Sequence, residues 1–379
     1  MELESSNLIN TQHKKIELKS PIISFDKDLK KMTYFLKTII EYIHLFIILI
    51  SFIFFILVKF PPFIFSYISF DFKFMKNEIK DLGYYLDIQH RFCDNIRNNY
   101  DKIVENKIFL YKVSLNDTTF DMYIYKNNDY LSWQIQLNQS YDPIGTLHML
   151  NAIKFYADKY DFENDDILII DIGANVGWYA TFFGMFKYTV LAFEPFPDNY
   201  YILKKNFCRN NKDFFGPLST ITIVNQALYP IETFCDYYKD LKNSKKNVIL
   251  CDTSKEKNLD KDYINIGRIK TTKLSNFIPL IYGKRKTLLR LDLEYEGEMA
   301  IESGKELISI YHIPYVFIEF NILMFTLHET RPQDFLRFFI NNGYKISLDG
   351  FLTNDFISIE DLMKIKFTKI NLYLVYVEK

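Results

Sequence analysis

Neither sign of charge dominates this chain. Its 46 lysines and arginines meet 47 aspartates and glutamates across 379 residues, for a formal net charge of −1. That balance supplies no basic field, and no stripe of Lys and Arg interleaved with aromatics runs through residues 107–379, so no nucleic-acid partner is expected. Cysteine is also scarce: Cys93, Cys208, Cys235 and Cys251 are the full set. They lack the close paired spacing of a zinc site or redox motif. Acids without histidine-rich support complete no metal site either, and none is expected. Free core thiols are one reading of the cysteines. Pairing of Cys235 with Cys251 in an oxidising compartment is another, and spacing does not decide connectivity.

The most informative stretch, Ile167-Leu168-Ile169-Ile170-Asp171-Ile172-Gly173-Ala174-Asn175-Val176-Gly177-Trp178-Tyr179, is also defined partly by what it omits. A run apolar on both faces predicts a central parallel strand. The glycines and the helical character of Trp178 to Phe186 then predict a tight turn and a helix N-terminus, where nucleotide-like ligands bind in a doubly wound sheet. A dinucleotide fingerprint requires glycine at the first, third and sixth positions of the turn, which here are Gly173, Asn175 and Trp178. No P-loop lysine follows. The missing lysine argues against a nucleoside triphosphate, and the failed glycine pattern leaves a dehydrogenase as a disfavoured rival. The spacing Asp-x-Gly-x-Asn-x-Gly is instead that of S-adenosylmethionine sites. Glycine at 173 and 177 is expected because a side chain would block the approach of backbone to ligand. A second predicted strand, Thr189 to Phe193, ends in Glu194, 23 residues after Asp171. A carboxylate there accepts from both ribose hydroxyls, at roughly 1.5–3 kcal/mol per charged hydrogen bond. A third strand, Ile221 to Val224, ends at Asn225-Gln226, and Gln226 is expected at the adenine edge. Asp171, Gly173, Asn175, Gly177, Glu194 and Gln226 form the expected cofactor-binding set.

With these residues in view, the chain resembles the FkbM-type methyltransferases. The resemblance rests on Asp171 to Tyr179, on Ala192-Phe193-Glu194-Pro195-Phe196-Pro197-Asp198-Asn199, and on the following Leu203-Lys204-Lys205-Asn206. Leu289-Arg290-Leu291-Asp292-Leu293-Glu294-Tyr295-Glu296-Gly297 is similar to the family's later acidic strand end, and Val316 to Phe320 to its fifth strand. It covers roughly residues 130–379. Where the family has Gly after the second acid, this chain has Tyr295. A one-residue deletion keeps Asp292 and Glu294 in place and makes Glu296 the third acid. The alternative is a damaged acceptor side that leaves cofactor binding intact. The resemblance implies a class I, Rossmann-like α/β fold with a doubly wound, mostly parallel sheet, S-adenosylmethionine as cofactor, and O-methylation of a hydroxyl.

Near the other end, Tyr42 to Val58 holds no formally charged side chain between Glu41 and Lys59. Its length is at the lower edge of a membrane-spanning helix. A charge at mid-bilayer costs about 2.5–3.5 kcal/mol, so the span centres between them with Lys59 reaching outward. Some forty mostly polar residues precede it, which argues against a cleaved signal peptide. Lys14, Lys15, Lys19, Lys27, Lys30, Lys31 and Lys37 precede the span, whereas Lys59, Lys73, Lys76 and Lys80 follow it. The excess leaves the tail cytoplasmic. The triplets Asn116-Asp117-Thr118 and Asn138-Gln139-Ser140 agree with a lumenal domain.

The expected organisation is a cytoplasmic tail at 1–41, a transmembrane helix at 42–60, an interfacial segment and stem at 61–106, and a methyltransferase domain at 107–379 with its cofactor core from about 165. Lys107 to Val113 and Thr118 to Tyr125 alternate as a hairpin. Asp129 to Leu137 is expected as a further strand and Tyr141 to Tyr160 as a helix. Phe234 to Ile266 reads as a polar insertion. Leu288 to Leu293 and Tyr315 to Phe320 are the fourth and fifth core strands, Pro332 to Asn341 a helix ended by Gly343, and Leu372 to Val377 an antiparallel edge.

Methyl transfer requires alignment of an acceptor oxygen opposite the leaving sulfur. It also benefits from a group that takes the hydroxyl proton, by about 10²–10⁴-fold. The ends of strands four and five border the crevice. Asp292, Glu294 and Glu296 are therefore the expected catalytic set, with Glu319 and His328 as further candidates. The expected activity is that of a bilayer-anchored O-methyltransferase of the endoplasmic reticulum or Golgi, acting on a glycan, glycolipid or other hydroxyl-bearing small molecule. The alternative is a noncatalytic S-adenosylmethionine-binding or scaffold protein.

Overall fold

A computed structural model describes Cys93 and residues 102–126, 129–210, 221–240, 247–252, 254, 259, 261–278, 281, 286–292, 297–322, 325 and 330–377. The expected tail, the span at 42–60 and most of 61–106 lie outside them. Among the described residues no helix is long and apolar enough to cross a membrane.

The hairpin forms as expected, with β1 (Ile108–Leu115) antiparallel to β2 (Thr118–Tyr125). Its two-residue turn puts Asn116 and Asp117 at φ 49 and 61, a left-handed pair that matches the twist of adjoining strands. Residues 129–137 are not a strand. Tyr130–Asn138 is helix α1, capped by the Asp129 carboxylate, which accepts from Ser132 N at 2.7 Å. The aromatic and leucine content suggested a strand, but Leu131 and Ile135 are buried four apart, the helical spacing. Helix α2 (Pro143–Tyr160) follows, with Asp142 at its N-cap and Pro143 in its first turn.

The core strands are β3 (Ile167–Ile172), β4 (Thr189–Phe193), β5 (Ile221–Val224), β10 (Lys286–Asp292) and β11 (Tyr315–Asn321), with β12 (Tyr344–Ser347) and β13 (Lys369–Tyr376) completing the sheet. The order is β12-β13-β11-β10-β3-β4-β5. All pairs from β11 to β5 are parallel, while β13 runs antiparallel to both neighbours. Each face has its own core: Ile167 and Ile169 pack into one cluster, Leu168, Ile170 and Ile172 into the other. Burial on both faces is why β3 reads as an unbroken apolar run. Helices α3 (Trp178–Met185) and α4 (Pro197–Asn210) cover the first face together with α2. Helices α5 (Gly297–Glu302), α6 (Glu306–Ser309), α7 (Pro332–Asn341) and α8 (Ile359–Leu362) cover the second.

Two expectations are corrected here. The strand expected at 372–377 is not an edge: β13 lies between β11 and β12, with Leu372, Tyr373 and Leu374 buried, and the four-residue β12 forms the edge. The polar segment after Phe234 is a second sheet rather than an irregular insertion. Strands β6 (Ala227–Leu228), β7 (Phe234–Asp240), β8 (Val248–Leu250) and β9 (Tyr263–Thr272) pair in the order β6-β9-β7-β8. Its exposed face supplies the polar residues that hid it. Nor are the cysteines free thiols. Cys235 bonds to Cys251 across β7 and β8, and Cys93 bonds to Cys208 in the last turn of α4.

The Cys235–Cys251 bond spans a sequence separation of 16. Replacing both by serine is expected to lower stability by roughly 3 kcal/mol, the loop-closure entropy restored to the unfolded chain. Urea midpoints of the two forms under non-reducing conditions measure it.

Candidate active site

The turn after β3 is held by two glycines in the left-handed region. A Cβ on Gly173 (φ +78) would stand 2.3 Å from the Asp292 carbonyl oxygen, and one on Gly177 (φ +92) 2.3 Å from Leu203 Cδ1. Close packing against β10 and α4 therefore requires glycine at both positions. Between them Asn175 has φ 53, and its buried Oδ1 has no partner among the described residues.

Glu194, at the end of β4, is 2% exposed. Its Oε2 accepts from Asn175 N at 2.7 Å and its Oε1 from Phe196 N at 2.9 Å. Burial pushes its carboxyl up to about 7, against these two backbone donors and the Asn199 side chain, which favour the charged form. Three donors leave a carboxylate of about four lone-pair sites with accepting capacity to spare. Asn225 Nδ2 donates to the carbonyls of Glu194 and Pro195 at 2.9 and 3.0 Å, tying the ends of β4 and β5.

A cavity of about 590 Å³ opens over these strand ends. Gly173, Asn175, Glu194, Gln226 and Asp292 all line it, together with Phe196, Tyr237 and Ile249 on one side and Tyr125 and Tyr130 on the other. Five of the expected residues are therefore brought together. Gly177 is not among them. Asp171 is fully buried and accepts through Oδ1 from Arg290 Nη1 at 2.9 Å, so it serves the sheet rather than the cavity wall. Glu294, Glu296 and His328 lie outside the described residues.

Arg290 is the site's hidden centre. It is 2% exposed, on a strand buried on both faces. Nη1 donates to Asp171 and to the Gly173 carbonyl, each at 2.9 Å, and Nη2 donates to Asp292 Oδ2 at 2.8 Å and to Glu319 Oε1. The Tyr179 ring covers the guanidinium at 4.4 Å. Lys369 pairs with Glu319 Oε2 and approaches Asp292 Oδ1 at 3.8 Å. Burial alone would raise the Glu319 carboxyl, but Arg290 and Lys369 outweigh it and hold it below its ordinary value. At Asp171 burial wins over the same arginine, and the carboxyl is raised. The Tyr141 hydroxyl donates to Glu319 Oε2 at 3.4 Å, and burial holds that phenol well above its usual range, so at neutral pH it remains a donor on the cavity wall.

The sequence reading missed Arg290, Lys369 and Tyr141 as site residues. Arg290 carried a signal, because a charge inside a two-faced apolar strand must be paired to be tolerated. Lys369 and Tyr141 carried none, since only the sheet order delivers them to these strand ends.

Arg290→Ala leaves three carboxylates facing each other and is expected to destabilise the fold by about 3–5 kcal/mol, measured by chemical denaturation. Glu194 is raised from an ordinary value of 4.5 to about 7. Its stabilising contribution is therefore complete below pH 4.5 and lost as pH rises through 7, on the order of 3 kcal/mol. The stability of Glu194→Gln relative to the parent should accordingly rise between pH 5 and pH 8. A constant difference across that range would contradict the buried-carboxyl account.

Known proteins resemble this region. Residues 171–346 match the family model of the methyltransferase FkbM domain. No curated protein matches the chain. Among solved structures, a methyltransferase FkbM from Methylobacillus flagellatus is 17% identical over 55% of this chain and 43% of its own, with a TM-score of 0.33. This chain thus spans less than half the length of that protein. A TehB-like SAM-dependent methyltransferase from Corynebacterium glutamicum is 11% identical over 65% and 94% of the two chains, TM-score 0.32. The magnesium protoporphyrin IX methyltransferase from Synechocystis, solved with bound SAH, is 10% identical over 66% and 89%, TM-score 0.32.

Proposed function

We propose, from the premise that residues 171–346 are an FkbM-type methyltransferase domain, that the protein is an S-adenosylmethionine-dependent O-methyltransferase anchored in a membrane and acting on a glycan or glycolipid hydroxyl. The observation that carries this reading is the convergence of Glu194, Gln226 and Asp292 on one cavity. The fit to the cofactor is chemical. Glu194 keeps acceptor capacity for a ribose diol, Gln226 offers an amide to an adenine edge, and the unpartnered Asn175 Oδ1 awaits a donor. The cofactor, when bound, supplies an electrophilic methyl group on a sulfonium.

The remaining chemistry belongs to the chain. Arg290 fixes Asp292 through Oδ2, Oδ1 lies 3.8 Å from Lys369, and the residue lines the cavity. Asp292 is the residue to accept the acceptor hydroxyl's proton as its oxygen attacks. Tyr141, whose single proton goes to Glu319, offers its phenolic oxygen as an acceptor to the substrate hydroxyl. Tyr130, at the cavity edge, stacks on Trp133 with ring centroids 5.8 Å apart, and both rings are about half exposed, a platform for the apolar face of a sugar. The described Asp292 keeps its place despite the altered sequence after it, which favours catalysis over a noncatalytic binder.

Anchoring rests on the uncharged run Tyr42 to Val58. Lumenal placement is supported by the lysine excess before that run and by the two disulfides, which suit an oxidising compartment.

Calorimetry of the full chain in detergent should give micromolar S-adenosylmethionine binding, lost in Glu194→Ala, and no NAD binding. Asp292→Asn should keep cofactor affinity and lower turnover with a glycan acceptor by about 10²–10⁴-fold. Failure of the folded parent to bind the cofactor overturns the reading.

A further inference from the structure

Two elements of the N-terminal cap each carry an Asn-x-Ser/Thr triplet, and the fold sets both on one rim. Asn116 occupies the β1–β2 turn and is exposed, with Thr118 Oγ1 folded back to its carbonyl at 3.5 Å. Asn138 closes α1 and is likewise exposed, with Ser140 Oγ donating to its carbonyl at 3.3 Å. Ser114 N donates to Gln139 O at 2.9 Å, so the two triplets adjoin.

The opposite ends of the same elements face the cavity. Lys107, Tyr125 and Lys126 line it at the root of the hairpin, and Tyr130 and Leu131 at the start of α1. The eight residues of β1 separate root from turn by about 23 Å, and the nine of α1 separate Tyr130 from Asn138 by about 12 Å. A large group on Asn116 therefore stands clear of the cavity mouth, while one on Asn138 projects from the exposed end of α1, three residues before Tyr141 of the cavity wall. It also has apolar surface to cover, because Leu137 beside Asn138 is 65% exposed.

We propose that Asn116 and Asn138 are N-glycosylation sites, which together carry a pair of adjacent glycans on the rim where the β1–β2 turn meets the end of α1. The inference rests on the lumenal orientation proposed above. The donor is a lipid-pyrophosphate-linked oligosaccharide. The asparagine Nδ2 forms a bond to the sugar's anomeric carbon, the bond from that carbon to the pyrophosphate oxygen breaks, Nδ2 gives up one proton, and the lipid pyrophosphate leaves.

The full chain, expressed in eukaryotic cells with one additional acceptor triplet on a flexible C-terminal tag, tests both layers. Digestion with peptide-N-glycosidase should remove three glycans from the parent, two from Asn116→Gln or Asn138→Gln, and only the tag's from the double variant. Thr118→Ala and Ser140→Ala should reproduce the single losses while leaving the asparagines in place, which separates modification from misfolding. A glycan on the tag alone in the parent overturns these sites with the orientation intact. No glycan anywhere overturns the orientation and the sites with it.

Discussion

A guanidinium sealed inside a parallel sheet governs this molecule. Arg290 is tolerable at 2% exposure only because carboxylates from three adjacent strands, Asp171 of β3, Asp292 of β10 and Glu319 of β11, converge on it. The desolvation of a lone cation there would exceed anything packing returns. The arginine therefore dictates the relative placement of the three strand ends and, through the Gly173 carbonyl, of the turn that follows β3. Asp292 faces the cavity with one oxygen already committed, so its orientation is set before any ligand arrives. Preorganisation of this kind lets a single carboxylate act without reorganisation.

A second constraint fastens the cap to that frame. Asn206, fully buried on α4, accepts from Tyr123 N and donates to the carbonyls of Tyr123 and Val176, at 3.0 and 2.7 Å for the latter two. One amide thus joins the hairpin, the helix and the glycine turn. Arg209 and Asn210 extend the seam through Asp121. The cavity is walled by this cap on one side and by the β6–β9 sheet on the other, where the Phe196 and Tyr237 rings lie 4.8 Å apart.

The core strands were legible because two-sided burial writes itself as an apolar run: β4 and β5 begin and end where the sequence places them, and β3 begins there and runs on through Asp171 to Ile172. Glu194 and Gln226 were legible because they stop such runs. What escaped depends on distant partners. Tyr130 to Asn138 mixes aromatic and polar residues in a way compatible with either period, and the Asp129 cap decided for helix. The β6–β9 sheet buries only two small clusters, Ala227, Cys235, Ile249 and Ile269 in one and Tyr238, Val248 and Leu250 in the other, too sparse a signal to stand out. The disulfides needed geometry, since Cys93 and Cys208 are 115 residues apart. Lys369 reaches the site only because β13 lies beside β11, a neighbour relation no local pattern encodes.

The placement of β13 also imposes a schedule. Translation delivers β11 and β12 before the strand that must lie between them, so a growing chain holds two open β edges until residues 369–376 emerge. Unpaired edges of this kind template association with other chains. The interval between synthesis of residue 321 and residue 376 is therefore the period in which the nascent protein most needs a chaperone, and only when it ends does Lys369 meet Glu319 and complete the charge cluster.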